Sequence, residues 1–356
     1  MAALLGLLLL VVGRNAKTIV VEGDILVDIP DDADSSFVRT ARQAEVTRAW
    51  PNAVIPIAFS PSYPESQKAS ASAGMDAWEK VTCVRFTRGD TTSANRALIV
   101  NGGSCQSSVA SSSHELGHLL GLQHQHTRAD RNNSIFVDQS NIYPPSYNLN
   151  FKIEPSAQSL GLPYDFTSIM QYQPKDFAWS ANKPVLVPLT PHQRFHRVMG
   201  NYLPSFYDSL VVNKMYGCDK KCASSSTQCS NGGYKNPNNC NQCICPRAWG
   251  ALTASTSQQT VTVTVGNPQD DQRVNYDIKD FVITAPSNGK VSLSISYLWS
   301  GDSGLGCKMG GLEIFAMNDS RMDGVRVCRA DESESVYKSE GNRIDFFPAQ
   351  TRDWDL

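Results

Sequence analysis

The chain is 356 residues long, room for two or three domains at about 150 residues each. Hydrophobic residues make up 41% of it and charged residues 19%, a globular balance that excludes disordered and fibrous classes. The 32 Lys and Arg nearly match the 34 Asp and Glu, for a formal net charge of -2. No basic stripe and no acidic tail stand out, so nucleic acid is not an expected partner.

Residues 1–12 read MAALLGLLLLVV without a polar interruption, and a polar stretch follows from Arg14. A bilayer takes about 20 apolar residues, so this run is too short to span one and fits the apolar core of a signal peptide over 1–13. No other stretch approaches a membrane span. Residues 14–42 are polar, with Asp28, Asp31, Asp32 and Asp34 in the middle and Arg39 and Arg42 at the end. That composition describes a pro-segment rather than a folding unit, with cleavage near Arg42.

From Trp50 the text turns globular. WPNAVIPIAF predicts a strand, and SQKASASAGMDAWEKV a helix with Ala69, Ala73, Ala77 and Trp78 on one face. CVRF and ALIV predict strands, residues 108–124 a helix, and 143–174 a long irregular region rich in Pro and Tyr. LVVNKMYGC closes the unit as a last helix. Between 220 and 250 the composition shifts to Ser, Asn, Gly and Cys, with NGG and NPNN turn clusters. Beyond it, QQTVTVTV and KVSLSISYLW alternate with the period of half-buried strands, which makes 251–356 an all-β module. Five of the ten cysteines crowd into 222–245 while the others are spread out, a distribution suited to an oxidising, extracellular compartment.

Four of the six histidines, His114, His118, His124 and His126, lie within 13 residues. On a helix, His114 and His118 stack one turn apart and can meet one metal ion. Glu115 points elsewhere and reaches a water instead. Gly121 lets the chain leave the helix with positive φ, and the reversal returns His124 as a third ligand. Three neutral imidazoles leave zinc's fourth position for water, the mark of a catalytic site. Ser111–Ser113 stand where they can cap the helix start. His126, His192 and His196 have no spacing that places them on the metal.

HELGHLLGLQHQHTRADRN, with its Arg128-Ala129-Asp130-Arg131 run, and Ser168-Ile169-Met170-Gln171-Tyr172 together resemble the astacin family of zinc endopeptidases. The resemblance implies one Zn2+ per chain on His114, His118 and His124, Glu115 as general base and acid, Met170 as an apolar floor, and Tyr172 as oxyanion donor. It implies an α+β, metzincin-type catalytic domain over 43–218, two-lobed, with a twisted sheet and the zinc helix. Val21-Glu22-Gly23-Asp24 is similar to the family's inhibitory motif except at its first position, which makes Asp24 the zymogen switch of a propeptide over 14–42. Residues 219–250 resemble an EGF-like module and 251–356 a CUB domain. By the same analogy Cys83 pairs with Cys218, Cys222 with Cys240, Cys229 with Cys243, and Cys307 with Cys328, leaving Cys105 and Cys245. Asn132 and Asn318 have the form of glycosylation acceptors. The whole is expected to be secreted, to act on extracellular proteins, and to use its C-terminal modules to bind matrix or protein ligands.

Two departures stand out. Gln125 occupies the position where family members carry a Glu that contacts the mature N-terminus. GGSCQSSVASSS also runs straight into His114, so that about 20 residues of the family pattern, with a second Cys and the edge strand that pairs with substrate, have no counterpart. An extracellular binding protein that keeps the metal without turnover is therefore the alternative.

Overall fold

The computed structural model describes residues 7–12, 16–21, 25–30, 49–61, 63–89, 96–101, 109–144, 146–155, 159–190, 192–201, 203–230, 232–246, 281–285, 287, 289–295, 311–319, 321–322, 324–327 and 336–349. They fall into two compact units, residues 1–227 with 235–243 and residues 228–234 with 244–356.

In the first unit, strands β1 (Leu7–Val12), β2 (Ala16–Val21), β3 (Ile25–Pro30), β4 (Val54–Phe59), β5 (Arg85–Arg88) and β6 (Arg96–Asn101) form one sheet in the order β2-β3-β1-β6-β4-β5. Strand β4 runs parallel to both β5 and β6, the pairing expected when a helix crosses over between strands. That helix is α1 (Glu65–Val81). Strand β1 pairs antiparallel with β6 over six positions, from Leu7 opposite Asn101 to Val12 opposite Arg96. Strands β1 to β3 thus come from the segment read in the sequence as signal and pro-segment. Within 14–42, residues 16–21 and 25–30 pair antiparallel with each other in this sheet.

Helix α1 shows a correction. Ala69 is exposed and Ala73 half-buried, whereas Ala71, Gly74, Met75, Ala77 and Trp78 are buried. The two largest side chains, Met75 and Trp78, decide which stripe faces inward, because burying them removes more apolar surface than burying alanines. Trp78 lies in the core with Ile55, Ile57, Ile99, Leu116, Leu120 and Met170. Its indole Nε1–H donates to the Ser113 carbonyl at 2.8 Å, tying α1 to α2 (Val109–Leu119). Because α2 already begins at Val109, Ser111–Ser113 lie within the helix and are not its cap.

Strands β7 (Ile135–Val137) and β8 (Leu186–Pro188) pair antiparallel across the irregular region. Helix α3 (Phe206–Met215) follows, opened by Ser205 and Asp208 as a reciprocal capping box. A disulfide joins Cys83 to Cys218 with Cα atoms 5.4 Å apart, and another joins Cys222 to Cys240. Cys229 and Cys243 are each disulfide-bonded, and Cys245 carries a free, exposed thiol. The short strands β9 (Tyr234–Asn236) and β10 (Asn239–Ile244) follow.

The second unit is β throughout its described residues. Strands β11 (Phe281–Thr284), β12 (Ser292–Ser294), β13 (Gly311–Phe315), β14 (Val325–Val327), β15 (Val336–Lys338) and β16 (Arg343–Ala349) form a four-stranded sheet, β11-β16-β13-β14, and the pair β12-β15. Val291, Ile295, Ile314, Val327, Ile344 and Phe346 make its core. No helix among the described residues is long and apolar enough to cross a membrane.

Candidate metal centre

Helix α2 sorts its side chains by spacing. Leu116 and Leu120 face the apolar core, and His114 and His118, one turn apart, share another face. The helix ends at Gly121, whose φ of +100° suits glycine. The Gly121 N–H donates to the His118 carbonyl and the Leu122 N–H to the Gly117 carbonyl, both at 2.9 Å, which is a Schellman closure. The reversal brings His124 back beside the other two. Gln125 N–H then donates to the Met170 carbonyl at 2.9 Å, pinning the returning chain to the turn at 168–172.

The imidazoles are set as ligands. His114 Nδ1–H donates to the Ile169 carbonyl at 2.7 Å and His118 Nδ1–H to the Leu122 carbonyl at 2.9 Å. A carbonyl can only accept, so both rings carry their proton on Nδ1 and turn the Nε2 lone pair inward. There His114 Nε2 and His118 Nε2 each lie 3.3 Å from His124 Nε2. Lone pairs that close repel unless a cation sits between them. A tetrahedral zinc with Zn–N bonds of about 2.0–2.1 Å holds its nitrogens about 3.3 Å apart. The donor set fits the ion, and His114, His118 and His124 form the group of three among the described residues able to hold one.

The other predicted residues gather around this cluster. Glu115 is 1% exposed and belongs to the same turn of α2 as His114. Met170 is buried and packs where Gly117 leaves room: a Cβ on Gly117 would stand 2.6 Å from its sulfur. Tyr172 is buried too, with its ring centroid 4.5 Å from that of His124. Arg128 forks onto Asp130 at 2.9 and 2.7 Å and donates to the carbonyls of Leu162 and Pro163. The Arg128 hydrogen bond holds the Asp130 carboxyl below the usual carboxylate range. Arg131 donates to the carbonyls of His126 and Phe151, so the Arg-x-Asp-Arg run braces the loop after the third histidine.

Three residues carry more than the sequence reading assigned them. His126, whose spacing does not place it on the metal, is fully buried; its Nε2–H donates to the Asn150 carbonyl at 2.7 Å, and its ring lies 4.2 Å from Tyr172. Asp176 is buried, and burial pushes its carboxyl up to about 6, opposed by the hydrogen bond from the Gln173 backbone N–H. Asp208 binds the 168–172 turn through Ser168 Oγ–H at 2.6 Å and Ile169 N–H at 2.8 Å. Burial raises its carboxyl, opposed by the hydrogen bonds from Ser168, Ser205 and Ile169. Ser205-x-x-Asp208 ahead of an apolar run does signal a helix cap, but nothing in that signal points to a turn 40 residues upstream.

Asp24, Cys105, Cys307 and Cys328 lie outside the described residues. Asn132 and Asn318 are both exposed.

A helix that presents two histidines, a glycine reversal that returns a third, and a buried glutamate between the first two define a zinc-peptidase type of centre. Comparison with known proteins makes the family explicit. Residues 42–217 match the model for the Astacin peptidase family, and the chain carries an astacin-family domain there. Zinc metalloproteinase nas-31 of Caenorhabditis elegans is 33% identical over 301 residues, 75% of this chain and 48% of that relative. The chain therefore spans about half the length of this curated relative. Zinc metalloproteinase-like protein nas-21 of the same organism is 26% identical over 331 residues, 85% of this chain and 82% of the relative. Among solved structures, the hatching enzyme zinc-protease HCE-1 of Oryzias latipes is 26% identical, covering 49% of this chain and 96% of that one, with a TM-score of 0.42.

Proposed function

We propose that this chain is a secreted zinc metalloendopeptidase, made as a zymogen, that cleaves extracellular proteins. One observation carries the reading: three buried imidazoles turn their Nε2 atoms to a common point, two of the contacts being 3.3 Å. His114, His118 and His124 would hold one Zn2+. That ion, when bound, lowers the pKa of a water towards about 7 and polarises the scissile carbonyl. Glu115 takes the proton of the attacking water and passes it to the leaving amine; its burial keeps competing solvent away. Tyr172, packed beside His124, donates its hydroxyl to the tetrahedral oxyanion.

Of the relatives, nas-31 is named a zinc metalloproteinase and nas-21 a zinc metalloproteinase-like protein. Zymogen control through Asp24, secretion by residues 1–13, and recruitment of matrix or protein ligands by EGF-like and CUB segments rest on the sequence resemblance alone. In the uncleaved chain β6 is paired over six positions with β1, and removal of residues 1–42 would leave β6 at the edge of the sheet, where a substrate strand could pair.

The test compares the activated wild-type chain with Glu115→Ala on an unfolded protein substrate, with zinc content measured on both. Wild type cleaves and a chelator stops it. Glu115→Ala keeps its zinc and loses about 10²–10⁴-fold in rate, the usual contribution of a general base. Equal rates for the two proteins, or a wild type that holds zinc without cleaving, decide against the peptidase.

A further inference from the structure

A capping box at the start of a helix asks one thing of its acidic residue: that it accept the N-cap backbone N–H. Asp208 does this for Ser205 at 2.9 Å, while the Ser205 hydroxyl accepts Asp208 N–H at 2.9 Å. Its carboxylate then takes two more donors, Ile169 N–H on Oδ2 and the Ser168 hydroxyl on Oδ1. Asp208 is 6% exposed, and sinking a carboxylate that deep is costly unless its lone pairs are used.

The bonds continue beyond Ser168. Its Oγ accepts Met170 N–H at 3.0 Å. Met170 N–H and the Ile169 carbonyl belong to one peptide unit, and that carbonyl accepts His114 Nδ1–H at 2.7 Å. Each group in the line donates toward the carboxylate: imidazole N–H to carbonyl, amide N–H to hydroxyl, hydroxyl O–H to Asp208. Hydrogen bonds in series polarise one another in the same sense. Negative charge at the far end makes the Ile169 carbonyl a better acceptor and the His114 Nε2 a better ligand.

We propose that Asp208 is a positioning residue for the metal centre, acting on His114 through Ser168 and the 169–170 peptide as a relayed carboxylate–histidine pair. This rests on the reading of His114, His118 and His124 as zinc ligands. Asp208 touches neither metal nor substrate; it sets the aim and basicity of one ligand from two bonded groups away.

The experiment measures zinc affinity of the full chain by competition with a chromophoric chelator, and the visible absorption of the cobalt-substituted protein. Asp208→Asn keeps an acceptor for Ser205 but loses the charge. Loss of an outer partner of a metal-bound histidine typically costs about 10–100-fold in affinity, so a fall of about 10-fold is expected, with a shifted cobalt band. Ser168→Ala cuts the line in the middle and serves if Asp208→Asn fails to fold. It should weaken zinc similarly, and the double variant should be no worse than either single one. Ser205→Ala removes the cap and leaves the line intact, so it should lower thermal stability with zinc affinity unchanged. The proposal is overturned if Asp208→Asn and Ser168→Ala bind zinc as wild type does, or if Ser205→Ala weakens zinc as much as they do. A wild type that binds no zinc sinks the metal reading itself, a different result from a wild type and variants that bind alike.

Discussion

The two units bury charge in different ways. In the second, Glu313 is 1% exposed and reaches Arg326, 13 positions away, at 3.4 Å; Asp345 reaches Arg343, two positions away, at 2.8 Å. The first pair joins the neighbouring strands β13 and β14 and the second lies within β16, so both are made as soon as the strands form. In the first unit, His114 reaches Ile169 across 55 positions, Ser168 reaches Asp208 across 40, and Arg128 reaches Leu162 across 34. Long-range polar contacts add desolvation to loop-closure entropy, and apolar side chains of similar volume could fill the same space at less cost. The first unit accepts that cost where three imidazoles must be aimed at one point. Charge buried by contacts that span the chain marks the site; charge buried by contacts that stay local marks strand pairing.

The sharpest way to break this contrast is to strip the metal. An ion that binds the folded state alone stabilises it by RT ln(1 + [L]/Kd), about 4 kcal/mol at a thousandfold excess over Kd. Calorimetry in the presence of a strong chelator should lower the transition of the first unit by about 10 °C, at about 2–4 °C per kcal/mol, and leave that of the second in place. Equal shifts in both would show that the long-range contacts do not depend on the ion. A smaller effect is expected from Gly117→Ala. The added Cβ meets the Met170 sulfur at 2.6 Å and Trp78 at 3.3 Å, and Met170 is 1% exposed with little room to yield. Overpacking costs about 1–3 kcal/mol, and the better helix propensity of alanine returns about 1. Urea unfolding should show a net loss of up to about 2 kcal/mol, in the first unit only.

What the sequence makes legible follows the same line between local and distant. The spacing of His114, His118 and His124 around Gly121 encodes its own geometry, because helix pitch and a glycine reversal are properties of consecutive residues. The structure accordingly brings all three together, with Gly121 at a φ of +100°. The inward stripe of α1 was harder. Alanine spacing pointed to Ala69 and Ala73, but Met75 and Trp78 are the large side chains buried, and Trp78 is tied to Ser113 of α2, which α1 alone does not state. Asp208 shows only its cap in the local pattern, since its second role depends on a turn 40 positions earlier. The pairing of β1 with β6 lies further still from anything periodicity records, because its two strands stand at opposite sides of β2 to β5 in the chain.

The smallest effect tests how far the burial around α2 reaches. Tyr216, just beyond α3, donates its hydroxyl to the Leu120 carbonyl at 3.2 Å, next to the glycine reversal. Burial pushes its phenol up to about 12, opposed by the Trp50 amide. The folded state therefore disfavours the phenolate, which has no proton to give Leu120. Stability from this group is fully present below the unfolded value near 10 and is lost as pH rises through about 12. At pH 11 the loss amounts to about 1 kcal/mol. Tyr216→Phe removes the bond at every pH, at a cost of about 1 kcal/mol near neutrality, and with it the alkaline decline. Wild type and variant should therefore differ at pH 8 and converge near pH 11 in the unfolding of the first unit. Parallel curves across that interval would mean that the phenolate is accommodated, and that the wall between the α2 reversal and α3 is less dry than the burial of Leu120 and Val212 indicates.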